Sequence, residues 1–267
     1  EMTHPIAQHL YKIQAQTGDN FFKLWDDWLG LAVAALSRQE GEDDERYMTI
    51  MRTYGPRIPG RDHPADHFAH ALGTFLHACR TESALNGSFP DILGTIYEEE
   101  SITNRYTGQF FTPEHLCKMM AIMTVAPTQE PITIADPACG SGRFFIAAMP
   151  LAPNATFYGT DRDLTCVNMT ALNMLTRNAN AYVIHGNTLS MECFGGYVTR
   201  STPLGGVIRR RDAATALSIL TVTAKAEKNK QHDPVDPLGP GQLPPSNEPQ
   251  TTAPVVENTK VQFGFDF

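Results

Sequence analysis

The chain has 267 residues, enough for one large or two small folded units, and 42% of them are hydrophobic. Its formal net charge of −8 excludes a general nucleic-acid glue, because phosphates are held by Lys and Arg, so any DNA contact must come from a local basic patch or a partner. None of the five cysteines forms a C-x-x-C pair, which argues against a disulfide framework or a cysteine zinc site and fits a reducing cytoplasm. No apolar run approaches the roughly 18 residues of a membrane span, and no secretory leader is expected ahead of the first helix.

Residues 1–106 read as a helical region. "FFKLWDDWLGLAVAAL" at 21–36 is apolar at helical spacing, with Trp25 and Trp28 three apart. Its aromatic stripe, with Phe21 and Phe22, reads as packing rather than base stacking. "EGEDDER" at 40–46 reads as a solvated acidic break, and "RTYGPRIPGRDHP" at 52–64 as a Pro/Gly-rich loop. A helix is expected from Pro64 to about Cys79, with Phe68, Leu72, Phe75, Leu76 and Cys79 on one side. His63, His67, His70 and His77 fall on the other, polar side, where exposure to solvent explains them and no metal is expected. "PDILGTIYEEE" at 90–100 is a further helix candidate.

Residues 107–229 change texture. "PITIAD", "ATFYGTD" and "AYVIHGN" read as strands, separated by "GRFFIAAM" and "LTCVNMTALNMLTRN" as helices. That alternation predicts an α/β fold with a parallel sheet. Beyond Asn187 the pattern decays, leaving a short strand at 197–200 and a helix over 212–228 as expectations. Residues 230–267 form a Pro-rich tail, with seven prolines after residue 230, and read as disordered.

"DPACGSGRFF" follows one strand and opens a helix. Gly140 and Gly142 let the backbone approach a ligand, and helix N-terminal N–H groups point at it. It is not the dinucleotide G-x-G-x-x-G, because residue 145 is Phe. Asp136 stands at the strand end, where a carboxylate repels phosphate and suits an amine. Asp161 ends the next strand, near the offset of ~20 residues at which a carboxylate takes ribose hydroxyls. An amine-bearing nucleoside without phosphates, S-adenosylmethionine, meets both demands; the alternative is an ordinary tight β–α turn. Cys139, inside this loop, reads as a small side chain toward the ligand rather than a nucleophile.

"GQFFTP", "DPACGSGRFF", "YGTD" and "HGNTL", in that order, resemble the cofactor-binding half of N6-adenine DNA methylases, above all the modification subunit of type I restriction systems and its short stand-alone relatives. "DILGTIYEEE" is similar to that family's lead-in helix. The resemblance covers roughly residues 90–190. It implies a partial Rossmann-like S-adenosylmethionine-dependent methyltransferase sheet behind a helical N-terminal region. Phe110, Thr112 and Pro113 would line the methionine end of the cofactor. Asp136, Pro137, Ala138, Gly140 and Gly142 would form the floor, Asp161 would hold the ribose, Arg162 would cover the adenine, and Asn187 would meet its amino group. Thr112-Pro113 also suits a helix start, with Thr as N-cap and Pro at N1 of a helix over 114–125.

The family's [N/D]-P-P-[Y/F] tetrapeptide, which positions the target amine and stacks on the flipped base, has no counterpart in this sequence. Ser201-Thr202-Pro203-Leu204 stands near the expected place, with Ser201 and Pro203 as the candidates for positioning the amine. Arg200 and Arg209, Arg210 and Arg211 make the best basic patch for DNA phosphates, or a solvated helix start. Gln262 to Phe267, "QFGFDF", resembles the hexapeptide with which bacterial DNA enzymes bind the sliding clamp; the alternative is a strand that packs back on the body. The resemblance implies a DNA adenine-N6 methyltransferase, of a restriction-modification or mobile-element system. The other reading is a lapsed, cofactor-binding homologue that partners a methylase or restriction subunit.

Overall fold

The computed structural model describes residues 4–37, 42–86, 90–103, 111–218 and 262–263. Helix α1 (Pro5–Thr17) starts as its residues dictate: His4 accepts the Ile6 N–H, Pro5 takes the first position, and Gly18 closes the end in a left-handed turn. Ile6, Leu10 and Ile13 line its buried side. Helix α2 (Phe21–Ser37) is apolar on most of its surface because it is surrounded. Trp25 and Trp28 are fully buried, with ring centroids 5.1 Å apart.

Of the acidic stretch read as a break at 40–46, the described part, from Glu42, is helical. Helix α3 (Glu42–Arg52) packs on α2, because the apolar Ile50 and Met51 of its second half are partly buried against the core. Helix α4 (Pro64–Asn86) is longer than expected and packs on α1. Two of the histidines expected on a solvated face are buried: His63, just ahead of the helix, and His67, within it, are 8% and 7% exposed. His63 accepts the Ala65 N–H and donates to the Gly55 carbonyl. Helix α5 (Ile92–Thr103) is capped by Asp91, which accepts the Gly94 N–H at 3.0 Å. Helix α6 (Glu114–Thr124) follows.

The sheet is built from β1 (Thr133–Asp136), β2 (Thr156–Asp161), β3 (Asn180–Asn187), β4 (Glu192–Arg200), β5 (Val207–Arg211) and β6 (Gln262–Phe263), in spatial order β5-β4-β3-β2-β1-β6. Strands β1, β2, β3 and β6 are mutually parallel, whereas β4 is antiparallel to β3, and β5 to β4. Helices α7 (Arg143–Ala148) and α8 (Leu164–Thr176) make the parallel crossovers. Every residue of α8 from Thr165 to Leu175 is buried, because it lies between the strands and α2. A hydrogen bond of 2.5 Å from Thr165 to Asp26 ties that contact. One apolar core therefore runs through the N-terminal helices and the sheet.

The α/β fold and the three parallel strands match the sequence reading. The weak strand expected at 197–200 is longer, Glu192–Arg200, and the arginine run forms a strand rather than a helix start. Helix follows at 213–218. The boundary expected at 106–107 and nearly all of the Pro-rich tail lie outside the described residues. At Gln262–Phe263 the strand alternative holds: these residues pair with Ile134 and Ala135 of β1. The rest of the clamp-like peptide, residues 264–267, lies outside the described residues.

Candidate functional site

In parallel sheets, ligands gather beyond the carboxyl ends of the strands. Here the tips of β1, β2 and β3 deliver Asp136, Asp161 and Asn187 to one cleft of about 450 Å³. Cleft walls also include Thr112, Pro137, Ala138, Gly140 and Arg162, so eight residues singled out from sequence converge there. Thr188 closes the far side by donating to the Pro137 carbonyl at 2.8 Å.

The glycine bend has a physical cause at each glycine. Gly140 has φ +55°, and a Cβ built on it would lie 2.9 Å from the Phe111 ring. The bend and the lid loop therefore touch, and glycine is what lets them. Gly142 has φ +81° and backs onto Thr170, so it shapes the bend from below rather than lining the cleft. Thr170 also donates to the Gly140 carbonyl at 2.7 Å. The Cys139 thiol is buried beneath the bend, with the Thr170 hydroxyl 3.7 Å from its sulfur. Burial pushes that thiol well above its ordinary range, so it is no nucleophile.

Asp161 does two jobs. One oxygen accepts the Gly140 N–H and the other the Asp163 N–H, both at 2.9 Å, which locks the bend to the tip of β2. Each oxygen keeps a lone pair for a ligand. Burial pushes the Asp161 carboxyl up, and the two N–H groups pull it back in part. Burial also raises Asp136, against the pull of the Ala138 N–H it accepts at 3.0 Å, and the neighbouring Asp161 charge adds to the rise. Two carboxylates that penalise each other's charge in one cleft favour a cationic ligand and disfavour a phosphate.

The lid is held by residues that motif reading passed over. Arg143, the first residue of α7 and 6% exposed, donates to Asp91 and Glu98 at 3.0 Å each and to the Thr112 carbonyl at 3.1 Å. Glu98 in turn accepts the Phe111 N–H at 3.0 Å. Asp91, 2% exposed, also accepts from Ser141 at 2.5 Å and Asn173 at 2.9 Å. Burial alone would lower the Arg143 pKa, but the Asp91 and Glu98 charges outweigh it and the net direction is upward. The only sequence signal for this network was the lead-in helix "DILGTIYEEE", which carries both acids.

Several expected placements differ. Phe110 lies outside the described residues, and Phe111 faces the cleft instead. Pro113, not Thr112, is the N-cap of α6; it makes no side-chain cap and does not line the cleft. Asn187 lines the cleft, but its Oδ1 accepts the Leu189 N–H at 3.0 Å, so part of its amide serves the turn. Ser201 and Pro203 are not at the cleft. Strand β4 runs back along β3, so its end lies beside the start of β3, where the Ser201 N–H donates to Asn180. The eight residues of β3 separate the two ends by about 20 Å.

The arginines also miss the cleft. Arg200 packs over the Tyr182 ring, 4.4 Å from its centroid, and donates to the tyrosine oxygen and to the Thr199 carbonyl. Arg209, Arg210 and Arg211 alternate along β5, the sheet edge farthest from β1. Charge on an edge strand discourages pairing with other chains.

Comparison with known proteins covers the stretch that carries the cleft residues. Residues 88–202 match the family described as N-6 DNA Methylase. The methylase subunit of the type I restriction enzyme MjaIX from Methanocaldococcus jannaschii is 32% identical over 101 residues, covering 33% of this chain and 18% of that protein. The MpnII methylase subunit from Mycoplasma pneumoniae is 26% identical over 93 residues, covering 32% of this chain and 17% of that one. The chain thus spans under a fifth of the length of these relatives. Among solved structures, a modification subunit of a putative type I restriction enzyme from Vibrio vulnificus aligns over 59% of this chain and 34% of its own, at 15% identity and a TM-score of 0.37. A putative class I S-adenosylmethionine-dependent methyltransferase from Listeria monocytogenes aligns over 67% and 53%, at 12% identity and the same TM-score. The segment that resembles the N-6 DNA methylase family, residues 88–202, holds every residue that lines the cleft, from Phe111 to Leu189.

Proposed function

We propose that the cleft binds S-adenosylmethionine and that the chain supplies the cofactor-binding part of a DNA adenine-N6 methyltransferase of the type I restriction-modification kind. The observation that carries this reading is the convergence of Asp136 and Asp161, both with raised carboxyls, under a lid fastened to the same glycine bend. A bound sulfonium and ammonium would relieve the strain between the two charges, which a phosphate would worsen. When bound, the cofactor supplies an electrophilic methyl group.

The chain's own residues divide the remaining tasks. Asp161 offers its spare lone pairs to the ribose hydroxyls, and Asp136 faces the amine. Phe111 and Thr112 cover the methionine end and exclude water. Asn187 and Arg162 flank the adenine. DNA and the companion restriction subunits are the partners that the relatives' names support.

A second reading is favoured by one placement. Ser201 and Pro203 sit at the end of the sheet away from the cleft, so neither can position a target amine there. A chain that binds the cofactor without transferring its methyl group by itself fits that geometry. Calorimetry with S-adenosylmethionine and with ATP tests the shared core: the first is expected to bind and the second not. Retained cofactor binding in both Asp136→Ala and Asp161→Ala would remove the assignment. Tritiated methyl transfer to unmethylated DNA, with and without companion subunits, then separates the two readings.

A further inference from the structure

The second cluster of chemistry lies in the N-terminal helices, away from the cleft. His67 and His70 are one turn apart on α4, and His9 faces them from α1. The His9 ring centroid is 6.2 Å from that of His67 and 5.6 Å from that of His70. Each of the three offers one ligand atom, and these atoms all lie within 4.8 Å of one another.

What points to a ligand is the state of the buried nitrogens. His67 is 7% exposed, and its Nε2 lies 2.6 Å from Asp62 Oδ2. A carboxylate only accepts, so that nitrogen carries the proton, and in the neutral ring, the form that binds a metal, Nδ1 is left with a bare lone pair. This Nδ1 is buried and has no hydrogen-bond partner among the described residues. The same is true of His9 Nδ1. Buried polar atoms are satisfied in nearly all native structures, so two orphans in one histidine cluster call for a shared occupant.

We infer that His9, His67 and His70 form a site for a divalent transition metal of the zinc class, which clasps α1 to α4. Three imidazoles and no carboxylate in the inner set suit zinc, cobalt or nickel and not magnesium or calcium. Asp62 supplies the outer carboxylate that typically orients a ligating histidine. Tetrahedral ligation brings nitrogens to about 3.3 Å apart, so closing the site from within 4.8 Å asks for small rotations of the less buried His9 and His70 side chains toward His67. The exposure of His70 also leaves a fourth position open to water.

The test is a titration of the full chain, freed of metal with chelator, by Co²⁺ and then Zn²⁺. One equivalent of Co²⁺ is expected to give the visible absorption of a four-coordinate nitrogen site, which Zn²⁺ then abolishes, and Zn²⁺ is expected to raise the melting temperature. His70→Ala removes an exposed ligand without disturbing the core and is expected to weaken binding at least tenfold. Asp62→Asn is expected to weaken it about 10- to 100-fold. His77→Ala, on the same helix outside the cluster, is expected to leave it unchanged. Absence of a cobalt spectrum, or equal affinity in His70→Ala and the parent chain, would overturn the site; neither readout depends on the cleft.

Discussion

Arg143 Nη1 donates to the backbone carbonyl of Thr112 at 3.1 Å, and this bond fastens the lid loop to the helix that opens from the glycine bend. The same guanidinium reaches Asp91 and Glu98, so a single side chain joins α5, the lid and α7. Arg143→Met would leave a buried Asp91 carboxylate without its cation, at a cost of about 3–5 kcal/mol. Denaturant unfolding is expected to show that loss. Arg143→Lys keeps a charge but not the fork, so it is expected to fold better than the Met variant and still bind S-adenosylmethionine more weakly than the parent.

Gly140→Ala tests the contact between bend and lid. The added methyl meets the Phe111 ring at 2.9 Å on a backbone with φ +55°. A stability loss of about 1–2 kcal/mol is expected from strain alone. Adding Phe111→Ala should recover part of it, and a double-mutant cycle in thermal unfolding measures the coupling. Two additive losses would show that the lid does not rest on the bend.

Asp136→Asn is expected to move stability and ligand binding in opposite directions. Burial raises the Asp136 carboxyl above its ordinary 3.8. A raised folded-state value means the fold holds the proton more tightly than the unfolded chain does. Its contribution to stability is therefore full below the ordinary value and is lost as pH rises through the raised one. At neutral pH the Asn variant should unfold at higher denaturant than the parent, with the gap closing in acid. Its affinity for S-adenosylmethionine should fall about tenfold or more, because a charge-assisted contact is gone. In the parent, affinity should decline on acidification before the ordinary aspartate range is reached, and this decline should vanish in the variant.

Asp161→Asn should behave differently. Its two carboxylate oxygens each accept a backbone N–H, from Gly140 and Asp163, and an amide can replace only one of them. The stranded N–H is expected to cost about 1–3 kcal/mol at neutral pH, read by thermal unfolding. A variant as stable as the parent would mean that the bend holds itself.

Ser201→Ala and Pro203→Ala should leave cofactor affinity unchanged and stability within about 0.5 kcal/mol, since both residues are exposed at the sheet end remote from the cleft. A loss of binding in either would contradict the antiparallel course of β4.

Legibility of the sequence followed the reach of each interaction. Strands β1, β2 and β3 are short apolar runs that stop at Asp136, Asp161 and Asn187, so both the strands and the cleft residues at their tips could be read locally. Strand β5 could not, because an edge strand buries little: Ile208 is inside while Val207 and Arg209 are exposed, and "VIRRR" carries no alternating apolar signal. Helix α3 was hidden by its acidic opening, since its packing residues come only in the second half. The Asp91–Arg143 pair joins residues 52 apart through a buried salt bridge, and each alone reads as a helix start. The direction of β4 decided the fate of Ser201, and a strand's direction is set by its neighbours rather than by its own residues.

The chain has two tryptophans, and both lie in α2 with almost no exposure. Indole emission therefore reports on α2 and the residues packed against it, and no indole stands among the walls of the cleft. A ligand entering between Asp136 and Asn187 can go unseen in a fluorescence titration while being bound in full. The converse is useful: an optical change at the indoles upon adding zinc would come from the α1–α4 side of the molecule, so one cuvette can distinguish occupancy of the helices from occupancy of the sheet.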